Sequence, residues 1–266
     1  MRLDPTAAAA GFRLLSHDAL ASTNEEALTR ARSSDEGRLW IVARTQTAGR
    51  GRRGSQWMSP PGNLYATLLL TDPAPPKIAP QLSFVAGLAV LDAITVCAPV
   101  VRPLLTLKWP NDILCGGKKL AGILIEGEDI RGRLAAAIGI GLNCVTHPAE
   151  TVFPATDLAA VRAFATAADL FAALSATMLS RLEQWRRGAG FAATRTAWLE
   201  RAAGLEGDLL VRLPGGEIRG RCEALDESGR IMLRLADGSV QAIAAGDVFP
   251  IAKHSPGASS TIGQDG

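Results

Sequence analysis

The chain has 266 residues, of which 47% are hydrophobic and 20% charged, and its mean hydropathy is +0.14. This composition is typical of a globular protein with one large core, or with a large core and a small second one. A formal net charge of +2 is too small for a general polyanion binder, so a nucleic-acid role would need a local basic patch. The four cysteines form no CxxC pair, which argues against structural zinc and disulfides and leads us to expect a cytoplasmic protein.

The N-terminal quarter predicts a strand, a helix and two more strands. GFRLLSHDAL is typical of a strand, and STNEEALTRA is typical of a helix. Ser22 or Thr23, each with a glutamate three positions later, can open that helix with a capping box. Residues 38–44 and 63–71 are short and rich in β-forming side chains, which predicts strands.

The most apolar stretch, residues 78–98, is long enough to raise the question of a membrane span. Pro80, Gln81 and Asp92 interrupt it, and its many small residues suit close packing inside a domain. We therefore predict a buried core helix.

The middle of the chain alternates strands and helices. Residues 104–109 are predicted to form a strand, and residues 119–127 and 132–143 a hairpin around EDIRG. Residues 155–188 are predicted to be helical over most of their length, and residues 191–202 to form a further helix.

From about residue 207 onward, short alternating strands are separated by Pro-Gly-Gly, Glu-Ser-Gly and Asp-Gly-Ser turns. This spacing predicts a compact β-barrel of about fifty residues. The predicted organisation is an α+β domain over residues 10–203, a small β domain over residues 204–252 and a disordered tail over residues 253–266.

TQTAGRGRRGSQW, residues 45–57, contains the GxGxxG spacing of dinucleotide-binding loops. Such a loop must open a helix, whose N-terminus binds the pyrophosphate. Pro60 and Pro61 follow too closely for a helix to form, so the dinucleotide interpretation fails. No P-loop sequence occurs in the chain.

The same loop holds three arginines, Arg50, Arg52 and Arg53. An RNA-binding RGG segment would be long and repetitive, whereas this one is a single copy between two strands. Glycines allow close backbone approach to a ligand, and arginine forks match carboxylate and phosphate oxygens. We therefore favour an ordered anion-binding loop over a solvated basic loop.

LKWPNDILCGGKKLAGILIE places Lys108, Asn111, Asp112, Lys118 and Lys119 around a Pro-Asn-Asp turn. A tight turn alone would explain Asn and Asp at these positions. Phosphoryl chemistry would explain them too, because amide and carboxylate oxygens bind Mg²⁺ and an ammonium balances charge that develops on oxygen.

STN, QTAGRGRRG, KWPNDI, KKLAGILIE and GIGLN, in this order, resemble the biotin protein ligase family. The resemblance spans the α/β region, and the C-terminal segment resembles the family's SH3-like domain. It implies a class II synthetase-like catalytic domain with a mixed β-sheet flanked by helices, followed by an SH3-like barrel. Some family members carry an N-terminal helix-turn-helix domain, but this chain begins about twenty residues before STN, so we expect no DNA as a partner.

The resemblance implies a two-step reaction. The carboxylate of biotin attacks the α-phosphorus of ATP to give biotinyl-5′-AMP, which is then transferred to a lysine of a biotin carboxyl carrier protein. The expected cofactors are ATP and Mg²⁺, and the expected partner is the carrier domain of a carboxylase, acetyl-CoA carboxylase in particular. We expect no membrane partner and a monomer or homodimer.

The resemblance also implies site residues. Arg50, Arg52, Lys119 and Asp112 are predicted to be catalytic, with Asp112 orienting or deprotonating the incoming lysine. No protein-held metal is expected; Mg²⁺ would arrive with ATP near Asn111. The biotin-binding set is Ser22, Thr23, Asn24, Gln46, Gly49, Arg50, Gly51, Arg52, Trp57, Lys119 and Gly122, and the nucleotide-binding set is Arg52, Arg53, Trp57, Lys108, Asn111 and Asn143.

Three alternatives stay open at this point. A lipoate or octanoate ligase or transferase resembles this family in fold and also acts on carrier lysines. A non-catalytic protein could use the same basic loop to bind a ligand or nucleic acid. Helix capping explains Ser22 or Thr23 without a ligand, and a turn or cap explains Asn143 equally well.

Overall fold

The computed structural model describes residues 1–151, 153–205 and 207–251. The described residues divide into a larger unit, Met1–Ala203 with Asp226–Gly229, and a smaller unit formed by the rest of the C-terminal region. The tail predicted to be disordered, residues 253–266, lies outside the described residues.

The larger unit contains five α-helices and eight strands within its described residues. Its helices are α1 Pro5–Ala9, α2 Thr23–Arg32, α3 Leu82–Cys97, α4 Ala167–Trp185 and α5 Phe191–Leu199. Its strands are β1 Arg13–Leu20, β2 Leu39–Gln46, β3 Leu64–Thr71, β4 Leu105–Lys108, β5 Asp112–Cys115, β6 Lys118–Ile130, β7 Arg133–Leu142 and β8 Ala202–Ala203.

These strands form one sheet in the order β1-β2-β3-β7-β6-β5-β4-β8. The outer pairs β1–β2 and β4–β8 are parallel, and the pairs between them are antiparallel. The predicted α+β class with a mixed sheet is therefore confirmed.

Helices cover both faces of this sheet. On one face, α2 packs Ala27 and Ala31 against Leu39 and Ile41 of β2 and Leu69 of β3. Side chains alternate along a strand, so their neighbours point to the opposite face. There Trp40 of β2 meets Phe171 of α4 edge-to-face, with the ring centroids 5.5 Å apart. The face that carries α2 also carries the candidate site.

The apolar segment is a buried helix, as predicted. Ala79–Cys97 is long and apolar enough to span a membrane, but 61% of its most apolar stretch is buried inside the protein. Asp92, the charge in this stretch, pairs with Arg181 of α4 at 2.7 Å. The helix is apolar because protein surrounds it.

The smaller unit is a five-stranded antiparallel sheet in the order β12-β11-β10-β9-β13. The predicted turns separate its strands, and Leu209, Val211, Ile231, Leu233 and Val248 form its core. That this sheet closes as an SH3-like barrel stays a prediction. The strands are β9 Asp208–Leu213, β10 Gly216–Leu225, β11 Ile231–Arg234, β12 Val240–Ile243 and β13 Asp247–Pro250.

The predicted capping box at the start of α2 is wrong. Ser22 is the N-cap residue but its side chain makes no capping bond. The backbone N–H of Thr23 instead donates to Gln46 Oε1 at 2.9 Å. The side chain of Gln46, at the end of β2, thus replaces the local cap, and the sequence pattern contains no signal for this contact.

The helix predicted from residue 155 begins only at Ala167, after Thr166 accepts from the Asp169 N–H as N-cap. Residues before it are held by bonds to distant strands and loops: Thr156 N donates to Lys119 O, and Leu158 N donates to Asn143 O. These contacts outweigh the local preference for helix. Three short elements, α1, β5 and β8, were not predicted, and the helix predicted over residues 191–202 ends at Leu199.

Candidate active site

The site lies where β6 and β7 carry glycines on the face that also carries α2. Gly122 of β6 pairs with Gly141 of β7. Gly139, two residues before Gly141 on β7, lies on the same face. A methyl group at Gly139 would overlap the side chain of Asn24, and one at Gly141 would overlap the indole of Trp57. These three residues therefore form a floor that other groups approach closely.

Trp57 and Lys119 lie over this floor. A Cβ at Gly122 would come within 3.0 Å of the Trp57 ring and 3.1 Å of Lys119 Cε. The Lys119 ammonium lies 5.5 Å from the centre of the Trp57 ring, within cation–π range. The indole N–H of Trp57 lies against Gly141 and is buried without a hydrogen-bond partner among the described residues.

The glycine-arginine loop forms a tight hairpin between β2 and β3. Gly51 N donates to Ser55 O at 2.7 Å and Trp57 N donates to Gly49 O at 2.9 Å. Arg53 has φ 55° and ψ 32°, the left-handed conformation. No α-helix follows the loop, because the chain passes directly into β3 at Leu64. The loop lacks the helix N-terminus that a dinucleotide site needs.

A partly buried hydrogen-bond chain fixes the first turn of α2 to the end of this loop. Gln46 Oε1 accepts from Thr23 N and, at 3.1 Å, from the Thr23 hydroxyl. Gln46 Nε2 donates to Ser59 Oγ at 2.9 Å, just after the loop. Ser22 and Thr23 are each only 4% exposed, so polar groups there are shielded from bulk water.

The side chain of Asn24 is held entirely by protein atoms. Its Oδ1 accepts from Thr67 Oγ1 at 2.6 Å, and its Nδ2 donates to Glu126 Oε2 at 2.8 Å and to Leu124 O at 3.2 Å. Asn24 is 4% exposed. These contacts join α2 to β3 and β6 across the floor.

The first two arginines of the loop point to different partners. Arg50 Nη2 lies 3.2 Å from both oxygens of Glu126, and Arg50 Nη1 lies 3.5 Å from Glu25 Oε2. Arg52 Nη1 instead donates to Asn111 Oδ1 at 3.4 Å. The loop thus contacts the start of α2 and the far part of β6 through one arginine, and the β4–β5 turn through the next.

Two lysines and one aspartate form a charged cluster beside the floor. Lys119 Nζ lies 2.7 Å from Asp112 Oδ1, and Lys108 Nζ lies 3.9 Å from Asp112 Oδ2. The Asp112 side chain is only 12% exposed, so this pairing is weakly screened by solvent. Lys108 also lies over the ring of Phe153, 4.8 Å from its centre. The cluster carries one more positive than negative charge, which suits it to an anion.

Asn111 is fixed by the backbone of β6. Its Nδ2 donates to Ile123 O at 2.6 Å, and Ile123 N donates back to Asn111 O at 2.9 Å. The predicted Pro-Asn-Asp turn therefore connects β4 to β5 and aims one amide oxygen at Arg52.

Family models match both units of the chain. The model described as the biotin/lipoate A/B protein ligase family matches residues 18–143, and the biotin protein ligase C-terminal domain matches residues 210–249. The biotin–[acetyl-CoA-carboxylase] ligase of Paracoccus denitrificans is 42% identical over 86% of this chain and 96% of its own length. The chain belongs to the biotin protein ligase family.

Further comparisons agree with this family. The biotin–[acetyl-CoA-carboxylase] ligase of Mycobacterium tuberculosis is 34% identical over 85% of each chain. The Aquifex aeolicus biotin protein ligase, solved in complex with biotin and ATP, superposes with a TM-score of 0.73 at 26% identity, covering 89% of this chain and 97% of that one. The Leishmania major ligase, solved with biotinyl-5-AMP, has a TM-score of 0.64 at 28% identity and covers 88% and 99%.

Most of the site residues predicted for this biotin protein ligase lie around the floor. Asn143 lies at its edge, where its Nδ2 donates to Thr156 O at 3.0 Å and its N donates to Leu120 O at 3.0 Å. Both contacts are structural, as a turn or cap role would require. Of the four residues predicted to be catalytic, Arg50 points toward Glu126 and Glu25 and away from the lysine–aspartate cluster.

Four residues of this ligase escaped the sequence prediction. Gly139 and Gly141 carry a usable signal, because alternate glycines within a strand mark close approach by another group. Thr67 and Glu126 carry none: a threonine in a strand and a glutamate near a strand's end are ordinary. Their roles depend on register, which places both on the face that carries α2.

No nucleophilic cysteine is indicated. Burial raises the pKa of the Cys115 thiol and raises that of Cys144 to about 12, so both stay protonated at neutral pH. Among the described residues, no group of three or more histidine, cysteine or acidic side chains could hold a metal ion.

Proposed function

We propose that this ligase activates biotin as biotinyl-5′-AMP and transfers the biotinyl group to a lysine of a biotin carboxyl carrier protein. One observation carries the proposal: the indole of Trp57 lies directly on the glycine floor, next to the Lys119–Asp112–Lys108 cluster. An apolar seat that ends in positive charge suits a neutral ring system with a carboxylate tail.

Biotin would bind beside the indole of Trp57, which lies on Gly122 and Gly141 and would form its apolar wall. Its ureido group is neutral and polar, and leaving such a group unpaired in a buried site costs about 1–3 kcal/mol. Ser22 and Thr23 are buried polar residues at the first turn of α2, and Gln46 hydrogen-bonds to Thr23 there. We assign them to the ureido group, together with the backbone of Gly49 and Gly51.

The first step brings two anions together, the carboxylate of biotin and the α-phosphate of ATP. Their approach needs fixed cations, and preorganised ones are most effective. Lys119 is held beside Asp112 over the floor, and Arg52 and Lys108 approach from the loop and from β4. We assign Lys119 and Arg52 to the reacting oxygens, and Arg53, Lys108, Asn111, Asn143 and Trp57 to the nucleotide side.

Mg²⁺ fits this site only as a companion of ATP. The Asn111 Oδ1 atom already accepts from Arg52, and both oxygens of Asp112 face ammonium groups. The chain thus offers one neutral oxygen rather than a carboxylate cage. When bound, the metal would balance phosphate charge while these residues orient the nucleotide.

The second step needs the carrier lysine as a neutral amine. For a lysine with a pKa near 10.4, only about one side chain in 10³ is neutral at pH 7. Asp112 is the carboxylate beside the charged end of the floor, and we assign it to orienting or deprotonating this amine. The carrier is proposed to be the biotin carboxyl carrier domain of acetyl-CoA carboxylase. Residues 10–203 would bind biotin and ATP, residues 204–252 would form the SH3-like domain, and the protein would be cytoplasmic.

The test is pyrophosphate release from ATP with biotin as the dependent substrate, followed by labelling of a carrier domain. Biotin should support release, while lipoate and octanoate should not. Lys119→Gln should abolish release, whereas Lys118→Gln, one residue away on the same strand, should leave it within about twofold. Release driven by lipoate or octanoate would instead favour the rival carrier-lysine activity, and RNA binding without release would favour a non-catalytic protein.

A further inference from the structure

We propose that Glu126 is a positioning residue that latches the glycine-arginine loop to the buried hydrogen-bond network under α2. This inference rests on the proposed function, because its readouts are biotin-dependent steps. Glu126 contacts no reacting group itself, but it holds Arg50 and Asn24, two residues of the predicted biotin site.

One nitrogen of Arg50 contacts both carboxylate oxygens of Glu126. Arg50 Nη2 lies 3.2 Å from each carboxylate oxygen, and Arg50 makes a further ion pair with Glu25 at 3.5 Å. The side chains of Arg50 and Glu126 are 37% and 29% exposed. Isolated surface pairs at this exposure contribute little, but a carboxylate anchored on its other side loses less entropy when it binds arginine.

That anchor is Asn24. Its Nδ2 donates to Glu126 Oε2 at 2.8 Å, and its Oδ1 accepts from the buried hydroxyl of Thr67. Thr67 Oγ1 in turn lies 2.8 Å from Thr23 Oγ1, which contacts Gln46. This series of contacts, Arg50–Glu126–Asn24–Thr67–Thr23, therefore joins the loop to the first turn of α2.

Glu126 is too far along β6 to touch the reacting atoms. It lies four residues beyond Gly122 on the same face, about 13 Å along the strand. Removing its charge should therefore leave chemistry alone and release Arg50, loosening the loop and the ureido partners together. The expected effect is on biotin affinity rather than on turnover.

The decisive comparison is Glu126→Gln against Glu128→Gln. Glu128 is the next acid on the same face of β6 and pairs with Arg32 at 2.6 Å, away from the floor. We expect E126Q to raise KM for biotin about tenfold with kcat within about twofold, and E128Q to change neither. Glu126→Asp, which keeps the charge, should recover part of the loss.

A double-mutant cycle with Arg50→Gln tests the latch itself. If Arg50 and Glu126 act as one unit, the double variant should be no worse than the more affected single variant. Additive losses, or an E126Q variant with unchanged KM, would overturn the proposal. If E126Q does not fold, as judged by thermal unfolding, the same cycle is run with Glu126→Asp, and additive losses of E126D and R50Q overturn the proposal. A wild-type protein without biotin-dependent pyrophosphate release would instead refute the proposed function.

Discussion

At the scale of single residues, the site depends as much on missing side chains as on charged ones. Gly122, Gly139 and Gly141 leave space that Trp57, Lys119 and Asn24 fill from above. Glycine in a strand interior weakens the sheet, so three of them on one face need a compensating role. Close approach of a ligand and its surrounding groups supplies that role.

Gly141→Ala should therefore impair biotin binding selectively. The added methyl group meets the indole of Trp57, and overpacking of this kind costs about 1–3 kcal/mol. We expect KM for biotin to rise by about 5- to 150-fold, as that range of free energy implies. The matched control is Gly127→Ala on β6, where the nearest obstacle is the flexible end of Leu134 at 3.2 Å. Equal biotin affinities for the two variants would argue against the floor.

Asp112→Asn tests the division of labour between the two half-reactions. Loss of a group that positions or deprotonates the carrier lysine should slow transfer from preformed biotinyl-5′-AMP about 100-fold. Adenylate formation, which depends on the cations, should fall less. The two steps are measured separately, with Asp18→Asn as control because the Asp18 side chain is 93% exposed. Collapse of adenylate formation with transfer intact would show that the assignment is wrong.

At the scale of elements, the loop between β2 and β3 connects the separate parts of the site. Its contacts with the rest of the protein include side-chain pairs of Arg50 with α2 and β6 and of Arg52 with the β4–β5 turn. Such a segment opens at low free-energy cost, and a bound anion that engages its arginines should hold it closed. A closed loop would also exclude water from a hydrolysable anhydride.

Biotin with ATP should accordingly suppress tryptic cleavage within residues 48–57. The protein carries an internal control, since Arg131 lies in the exposed β6–β7 turn in the left-handed conformation, away from the floor. Cleavage there should not respond to ligand. Fragments are quantified by mass spectrometry, and loop cleavage at the same rate with and without ligands would count against closure.

At the scale of the whole molecule, the described residues form two units, each with its own sheet and core. A ligand that binds only the folded larger unit should stabilise that unit alone. At a biotin concentration about 100 times Kd, the gain is about 2.7 kcal/mol, which corresponds to about 5–10 °C for a domain of this size.

Calorimetry with and without biotin checks this expectation. The transition of the larger unit should move, and any separate transition of the smaller unit should stay in place. Lipoate at the same concentration is the control and should move neither. A shift of both transitions, or of neither, would contradict a biotin site confined to the larger unit.

Much of the fold followed from local sequence. Alternation predicted the strands, apolar length predicted helix α3, and Pro60 with Pro61 excluded a helix after the GxGxxG loop. These predictions succeeded because each depends on the covalent and steric properties of neighbouring residues. The family was also readable, since five short motifs occur in one order.

Only the tertiary structure decided the contacts between segments distant in sequence. It replaced the local cap of α2 with Gln46, delayed α4 to Ala167, and turned Arg50 toward Glu126 and Arg52 toward Asn111. Strand register and packing fix such pairings, and a one-residue shift would send every side chain to the other face. The sequence alone therefore determined that the loop carries glycines and arginines, and the sheet decided which partner each arginine contacts.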